Sequence, residues 1–249
     1  MNKWVVYTAA FGSNDVARLV PQKEFKGVDF ICFTDRQRDA KGWKQIMVEA
    51  PIPGDLTRSN RYFKLQPHEV VAKYDRSIYI DANIIVMKLP PDFFTALMQG
   101  KNMLLFDHAQ NTSDPRDCVY DEFEALVDMQ KKKIVKDDIE TMRKQVDGFR
   151  ADNYPEHNGL IFGGVLIRNH NEPDVIKQMN DWWQTVLTKS KRDQLSFNYV
   201  AWKNNFQFEY LKGDSRRGNP YFYSAGKGDK NLYYSLFKYR MRKFFKQRN

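Results

Sequence analysis

Cysteine and long apolar runs are scarce in this chain. Only two cysteines, Cys32 and Cys118, occur among 249 residues, too few for a disulfide scaffold. The first residues, "MNKWVVYTAAFGSND", hold a single lysine and a short apolar stretch ending at Gly12, too short for a secretory signal or a membrane span. We therefore expect a protein of the reducing cytoplasm that touches membranes only peripherally.

Several common catalytic signatures are also missing. The sequence contains no G-x-S-x-G, no phosphate-binding P-loop and no C-x-x-C, and Cys118 has no recognisable histidine partner in the sequence. These absences argue against a serine hydrolase, a P-loop nucleotidase and a thiol oxidoreductase.

The positive charge is confined to one end of the chain. The formal net charge is +9, and residues 212–249 carry eleven Lys or Arg against two Asp, so the preceding 211 residues are neutral overall. We predict a globular domain over 1–230 and a basic amphipathic helical tail over 231–249. Its apolar and basic residues recur at helical spacing: Tyr233, Phe237, Met241 and Phe244, and Lys238, Arg242 and Lys246.

Two uses of this tail remain open. The helix could lie on an anionic membrane with its aromatic side chains inward, or it could pack its apolar stripe against the globule. Nucleic-acid binding is a third possibility, but no known DNA- or RNA-binding module accompanies the charge, so no specific nucleic acid is expected.

Apolar strand-like runs alternate with helical patterns along the first 211 residues. "WVVYTA" and "VDFICFTD" each end in small or polar residues, and "NDVARLV" between them predicts a helix opened by Asn14. A later helix is predicted to begin with Thr57 as its N-cap and to be interrupted at Pro67. The alternation predicts an α/β fold with a mainly parallel, doubly wound sheet flanked by helices.

The run "SIYIDANIIV" places Asp81 and Asn83 inside an otherwise apolar stretch. Residues two apart in a strand share a face, so both side chains can offer oxygen atoms to one divalent ion that also binds a diphosphate. The tripeptide alone equally fits a turn that caps a strand. Arg61 and Lys64, one turn apart on the preceding helix, add the cations that phosphate recognition needs, although they could also belong to a solvated helix face.

Longer segments carry a family resemblance. "LTRSNRYFKLQPHEVVAKYDRSIYIDANIIVMKLPPDF", "FDHAQNTSDPRDCVYDEFEA", "GLIFGGVLIRNH" and "KRDQLSFNYV" together resemble a bacterial and plant domain family of GT-A-fold glycosyltransferases, similar to the glycogenin and bacterial galactosyltransferase family. The resemblance runs from about residue 4 to 210 and leaves the basic tail uncovered.

The resemblance implies a nucleotide-sugar donor, a uridine one by preference, and a set of residues that hold it. Asp35 would accept a hydrogen bond from the uracil ring, Arg61 and Lys64 would bind ribose or diphosphate, and the two glycines would let the backbone approach the sugar. The full set implied for donor binding is Tyr7, Thr8, Ala9, Asp35, Arg61, Lys64, Asp81, Gly163 and Gly164.

The resemblance also implies a divalent metal, Mn²⁺ or Mg²⁺, at a D-x-D motif. Asp81 occupies the first position, and Asn83 replaces the second carboxylate, which keeps an oxygen but loses a charge. His170, after the strand "GVLIR", is the best available third ligand, and it is equally a simple loop histidine.

Other residues are implied to contact the acceptor or the reacting sugar. His108, Arg116 and Glu124 would bind the acceptor, and Asp193, Gln194 and Glu122 would act in catalysis by orienting the donor, stabilising positive charge or deprotonating a hydroxyl. Glu122 and Glu124 also suit the start of any helix, and Asp193 suits a helix cap.

Together these features predict a glycosyltransferase that moves a sugar to a hydroxyl of a glycan or lipid-linked acceptor in surface polysaccharide synthesis. The implied mechanism retains the anomeric configuration. Two other readings stay open: a non-catalytic nucleotide-sugar sensor on the same fold, for which loss of the second carboxylate would be intelligible, and a nucleic-acid-associated basic protein.

Overall fold

The protein is described by a computed structural model that covers residues 4–12, 19–90, 92–98, 100–226, 234, 236–239 and 241. Its strands are β1 Trp4–Ala10, β2 Val28–Thr34, β3 Lys44–Met47, β4 Arg76–Ile80, β5 Ile84–Val86, β6 Met103–Asp107, β7 Ile161–Arg168, β8 Glu209–Leu211 and β9 Phe222–Ser224. Its α-helices are α1 Leu56–Leu65, α2 Pro67–Val70, α3 Phe93–Met98, α4 Val119–Lys131, α5 Ile139–Ala151, α6 Pro173–Thr188 and α7 Phe197–Lys203.

Seven strands form one sheet in the order β3-β2-β1-β4-β7-β6-β8. Four of its six strand pairings are parallel, and β7 is antiparallel to both of its neighbours, β4 and β6. Helices cover the sheet, which confirms the predicted α/β architecture with a mainly parallel sheet. Because β7 runs against the rest, its first residues, and not its last, lie at the edge where β1, β2 and β4 end.

The sheet is apolar on both faces because successive side chains of each strand point in opposite directions. Tyr7, Leu105 and Leu166 belong to the larger core, which also contains Trp182 of α6. Val6, Leu104 and Ile167 belong to the core on the other face, where β5, β9 and α3 pack. This burial on both sides explains why the strands read as continuous apolar runs.

The helical region before β4 follows the sequence prediction with one correction. Pro67 separates α1 from α2, as expected of a residue without a backbone N–H. The N-cap of α1 is Asp55, not Thr57, because the Asp55 carboxylate accepts a hydrogen bond from the backbone N–H of Arg58 at 2.9 Å. Most of the helix predicted over 14–20 lies outside the described residues, and its last two residues, Leu19 and Val20, are not helical.

The chain after β8 returns to the sheet edge. β9 pairs antiparallel with β5, which starts one residue after Asn83, so the C-terminal segment is fixed beside the polar break of the sequence. Within the described part of the chain, no helix has the length and apolarity needed to cross a bilayer.

The described part of the basic tail packs one side on the globule. Residues 236–239 are helical, and Leu236 and Tyr239 contact a small cluster that includes Ile85 and Tyr223. Tyr239 donates a hydrogen bond to the backbone carbonyl of Asn219 at 2.6 Å. Phe237, by contrast, is 60% exposed. The predicted tail residues Tyr233, Arg242, Phe244 and Lys246 lie outside the described residues.

Candidate active site

Asp81 lies directly after β4, at the carboxyl edge of the parallel strands. Its backbone N–H donates to the carbonyl of Gly164 at 2.9 Å, and Tyr79 donates its hydroxyl to Asp81 Oδ1 at 3.3 Å. A Cβ atom at Gly164 would lie 3.2 Å from Asp81 Oδ2 and 2.5 Å from the Phe162 ring. Only glycine therefore fits at position 164, and the carboxylate of Asp81 is held against the backbone of β7.

Asn83 is fixed by the C-terminal segment. Its side-chain N–H₂ donates to the carbonyl of Ala225 at 3.0 Å and to the Ser224 hydroxyl at 3.4 Å. This leaves Oδ1 without a partner among the described residues. Asp81 and Asn83 line the same cavity, so one carboxylate and one amide oxygen are available to a hard divalent cation. Asp81 and Asn83 together fit such an ion but supply only one negative charge. A bound diphosphate would have to supply further oxygen atoms.

Arg61, Lys64 and Asp193 form a buried ion cluster next to Gly163. Arg61 Nε lies 3.0 Å from Asp193 Oδ1, and Lys64 Nζ contacts Asp193 Oδ2. Burial alone would raise the pKa of Asp193, but Arg61 and Lys64 outweigh it and hold the pKa well below its usual range. A Cβ at Gly163 would stand 3.1 Å from Lys64 Nζ and 3.3 Å from Asp193 Oδ2. The structure thus brings four of the predicted residues together.

This geometry defines what Asp193 can do. The carboxylate is buried and engaged by two cations, so it is a poor base, and its role is to hold Arg61 and Lys64 in place. Gln194, next in the chain, is half-buried and has no hydrogen-bond partner among the described residues, which leaves its amide available to a ligand.

A second set of ion pairs extends from this cluster. Glu122 accepts from Arg116 at 2.8 and 2.9 Å, and Arg192 Nη2 lies 3.9 Å from its other oxygen. Burial raises the pKa of Glu122, although both arginines oppose the rise. Glu122 therefore holds Arg116 and Arg192 in place beside Asp193. Glu124 does not join them, since two positions on a helix are about 200° apart and its side chain faces solvent.

His108 is enclosed, which contradicts its predicted exposure to an acceptor. It is 1% exposed, and its backbone N–H bonds the carbonyl of Leu160 at 2.8 Å. Burial, then the charges of Arg116 and Arg216, lowers the pKa of His108 to about 4. The ring is therefore neutral at physiological pH and is a buried packing residue near those two arginines.

His170 does not belong to the metal site, and the prediction was wrong. Because β7 is antiparallel to β4, Arg168 pairs with Ser77, at the start of β4 and not at its end. Four further residues of strand, roughly 13 Å, separate Ser77 from Asp81. His170 is fully buried at that opposite edge, and its Nε2 contacts the carbonyl of Val71 at 3.2 Å.

The predicted contacts of β1 with a nucleotide also need correction. Tyr7 and Thr8 are fully buried and Ala9 is 5% exposed, because the strand continues to Ala10. Tyr7 accepts a hydrogen bond from Arg168 at 2.6 Å inside the core.

β1 is followed by Phe11 and Gly12, which are themselves buried. Gly12 donates its backbone N–H to Asp35 Oδ2 at 3.0 Å, so Asp35 lies beside the end of β1, and its predicted contact with a uracil ring stays a prediction. Arg36 and Arg38 also contact the Asp35 carboxylate.

A cavity of about 670 Å³ opens at this edge and includes residues that the sequence analysis missed. Asp214 positions two of them by accepting the backbone N–H of Arg216 at 2.8 Å and the hydroxyl of Thr112 at 2.7 Å. Asn111 is 1% exposed, and its Nδ2 has no partner within the described chain. The lining includes Asp81, Asn83, Asn111, Lys136, Arg216 and Arg217. The adjacent residues Arg216 and Arg217 were the sequence feature that could have suggested an anion site. No local pattern, however, indicated that the segment after β8 returns to β5.

A family comparison decides the classification of this arrangement. The sequence profile described as TOD1/MUCI70, glycosyltransferase-like domain, matches residues 2–217. The chain belongs to this family. The predicted resemblance to a glycosyltransferase-like domain family is therefore confirmed. Among curated proteins, no sequence match was found.

Solved glycosyltransferase structures are similar to the TOD1/MUCI70-type domain at low sequence identity. The apo structure of the bifunctional glycosyltransferase WbbM has a TM-score of 0.46 at 9% identity, over 84% of this chain and 38% of that one. The apo structure of GlyE from Streptococcus pneumoniae TIGR4 has a TM-score of 0.43 at 11% identity, over 84% of this chain and 45% of that one. A glycosyltransferase involved in the glycosylation of the major capsid of PBCV-1 has a TM-score of 0.47 at 9% identity, over 94% of this chain and 99% of that one. The chain spans less than half of the first two proteins.

Proposed function

We propose that this domain transfers a sugar from a nucleotide-diphosphate donor, a uridine one by preference, to a hydroxyl of a glycan or lipid-linked acceptor. The observation that carries the proposal is the cavity at the carboxyl edge of the parallel strands, which Asp81 and Asn83 line together with Arg216 and Arg217. Guanidinium groups recognise phosphate oxygens in pairs, and the cavity volume suits a ligand of nucleotide-sugar size.

Each part of the site has a role in this reaction. The bond between the sugar and the diphosphate breaks, a bond to the acceptor oxygen forms, and the proton of the acceptor hydroxyl passes to the departing diphosphate. Arg216 and Arg217 bind the diphosphate, and Arg61 and Lys64, fixed by Asp193, add positive charge that stabilises the leaving diphosphate. Gln194 orients a sugar hydroxyl.

A divalent ion, Mn²⁺ or Mg²⁺, fits Asp81 and Asn83, and when bound it would neutralise charge on the leaving diphosphate. Because Asn83 contributes no charge, we expect weaker metal binding than at a pair of carboxylates. We further propose that the anomeric configuration is retained, which proton NMR of the product would decide.

We place the domain in the cytoplasm, on the inner face of a membrane, where lipid-linked acceptors of surface polysaccharide are extended. The support is the outer side of the tail, where Tyr234, Phe237 and Met241 are exposed near Lys238. Co-sedimentation with phosphatidylcholine vesicles, with and without phosphatidylserine, tests this. Phe237→Glu should abolish binding to the anionic vesicles, whereas Val135→Glu, at a 67% exposed site elsewhere, should not. Equal binding by both variants would contradict membrane docking.

The decisive experiment measures donor binding and turnover separately. Thermal-shift assays against uridine, guanosine, thymidine and cytidine sugar nucleotides, with and without Mn²⁺, identify the donor, because a ligand of the native state raises the melting temperature. Hydrolysis of that donor is then compared between wild type, Asp81→Asn and the surface control Asp128→Asn. We expect turnover to fall at least tenfold only in Asp81→Asn.

Other outcomes distinguish the alternatives. Donor binding without turnover in the wild type, under any metal and with acceptor panels, would favour a sensor. The absence of both binding and turnover for all donors would refute the proposal.

A further inference from the structure

Three side chains that can bind metal lie together outside the candidate active site. A sulfur atom of Cys118, a carboxylate oxygen of Asp121 and a ring nitrogen of His157 all lie within 4.8 Å of one another. Cys118 is the N-cap of α4 and Asp121 is in its first turn, so both point to one side of the helix. His157 comes from the segment between α5 and β7, about forty residues further along the chain.

The thiol of Cys118 is the unusual member of this cluster. The residue is 2% exposed and is a free cysteine, and its sulfur makes no hydrogen bond within the described chain. An acidic residue in the first turn of a helix is common and needs no ligand. A buried, unpartnered thiol that meets an imidazole and a carboxylate is a different situation, because all three atoms are ligands that zinc prefers.

The imidazole is already hydrogen-bonded to a carboxylate, as metal-binding histidines commonly are. Asp117 Oδ1 lies 2.7 Å from His157 Nδ1, which leaves Nε2 without a partner among the described residues. Zinc-bound histidines usually present one ring nitrogen to the metal and donate the other N–H to a carboxylate, which fixes the ring and increases its basicity. Asp117 occupies that supporting position.

We propose that Cys118, Asp121 and His157 form a zinc site. Zn–S and Zn–N or Zn–O bonds of ~2.3 and ~2.0 Å in a tetrahedron set ligand atoms about 3.3 to 3.5 Å apart. The present spacing of up to 4.8 Å therefore has to contract by at most about 1.5 Å, and the exposed side chains of Asp121 and His157 can turn to provide it. The mixed sulfur, nitrogen and oxygen set favours Zn²⁺ over Mg²⁺ and Ca²⁺, which take oxygen ligands.

The site would fasten the segment before β7 to the start of α4. Glu122, which follows Asp121, holds Arg116 and Arg192, and β7 leads directly to Gly163 and Gly164. Bound zinc would thus restrain two elements that enter the active site from one side. Its role is structural, and it does not depend on the proposed transferase activity.

Cobalt substitution tests the site on the full chain. Purified, reduced, metal-free protein is titrated with Co²⁺, and the thiolate-to-cobalt charge-transfer absorption is followed, since hard oxygen sites such as Asp81 cannot produce it. We expect one Co²⁺ per chain with this absorption, displaced by an equivalent of Zn²⁺. Zn²⁺ should also raise the melting temperature of the wild type.

Matched variants show which of the two cysteines binds the metal. Cys118→Ser should lose the absorption and the zinc-dependent melting shift, whereas Cys32→Ala, which changes the other buried cysteine, should keep both. His157→Gln should weaken cobalt binding at least tenfold while the metal-free melting temperature stays at the wild-type value. Absence of the thiolate band in the folded wild type, or its persistence in Cys118→Ser, would overturn the proposal.

Discussion

Lys64 and Asp193 are 129 positions apart in sequence and form a buried ion pair against Gly163. The pair joins α1 to the short helical turn before α7, and Arg61 completes it from the same face of α1. Two cations and one carboxylate leave a net positive charge next to the backbone of β7, close to Asp81. The cluster is therefore a structural support and an electrostatic element of the site at once.

Breaking this pair should cost stability. Lys64→Met leaves Asp193 buried with Arg61 as its remaining close partner, and removing one member of a buried pair typically costs about 3–5 kcal/mol. Urea denaturation measures the change. Lys131→Met, which breaks an exposed pair with Asp128, should leave the unfolding free energy unchanged within error. Equal effects of the two substitutions would contradict the structural importance of the Lys64–Asp193 pair.

The same cluster predicts a dependence of stability on acid. The folded pKa of Asp193 lies below its unfolded value of about 3.9, so its contribution is complete above that value. It is lost as the pH falls through the folded pKa. We expect the difference in unfolding free energy between wild type and Asp193→Asn to be constant from pH 7 to 5 and to shrink below pH 4. A difference in unfolding free energy that grows as the pH falls would contradict the lowered pKa of Asp193.

His108 should behave differently from an exposed histidine. Its pKa of about 4 means that the folded protein excludes the proton that the unfolded chain binds below about pH 6.5. Stability linked to His108 is therefore complete above pH 6.5 and decreases towards pH 4. NMR titration should show no shift of the His108 ring between pH 8 and 5, while His157, whose pKa is raised by Asp117, titrates above its usual value. A His108 midpoint near 6.5 would disprove its enclosure.

Two glycine substitutions should have opposite effects. Gly163→Ala places a methyl group 3.1 Å from Lys64 Nζ and 3.3 Å from Asp193 Oδ2, so it should displace the pair and lower both stability and donor turnover. Gly148→Ala adds a methyl group in open space within α5 and should stabilise the fold by up to about 1 kcal/mol. Thermal denaturation and donor hydrolysis of both variants check this, and tolerance of Gly163→Ala would count against a close-packed site.

Arg216 provides a test of diphosphate recognition. Arg216→Gln removes a charged group from the cavity, and we expect the dissociation constant for the nucleoside diphosphate to increase about tenfold. Isothermal titration calorimetry measures it. Arg150→Gln, which removes an exposed arginine paired with Asp147 on α5, is the matched control and should bind as the wild type does. Similar affinities in both variants would place the diphosphate elsewhere.

Local patterns predicted the features that local physics determines. The interruption at Pro67, the shared face of Arg61 and Lys64 and the position of Asp81 after an apolar strand all follow from sequence spacing. The separation of Glu122 from Glu124 could also have been found, because helical periodicity places them on different sides. The end of β1 was predicted to within one residue, but the resemblance implied that Tyr7 and Thr8 contact a nucleotide, and both are fully buried inside the strand.

Long-range features were not predictable in this way. An apolar run has the same appearance in a parallel and an antiparallel strand. The sequence therefore did not reveal that β7 runs antiparallel to β4, and the position of His170 depends on that direction. The return of the C-terminal segment to β5 depends on contacts between residues more than 130 positions apart, such as Asn83 with Ser224 and Ala225. Arg216 and Arg217 enter the cavity through this return, which no short motif indicates.

The pairing of β9 with β5 has a practical consequence for how the protein is divided. The family match ends at residue 217, whereas β9 spans Phe222–Ser224 and Ala225 holds the side chain of Asn83. A fragment cut at the end of the match would retain all seven strands of the main sheet. It would lack the strand that anchors Asn83, so a loss of metal or donor binding in that fragment would reflect the cut and not the chemistry of the native site.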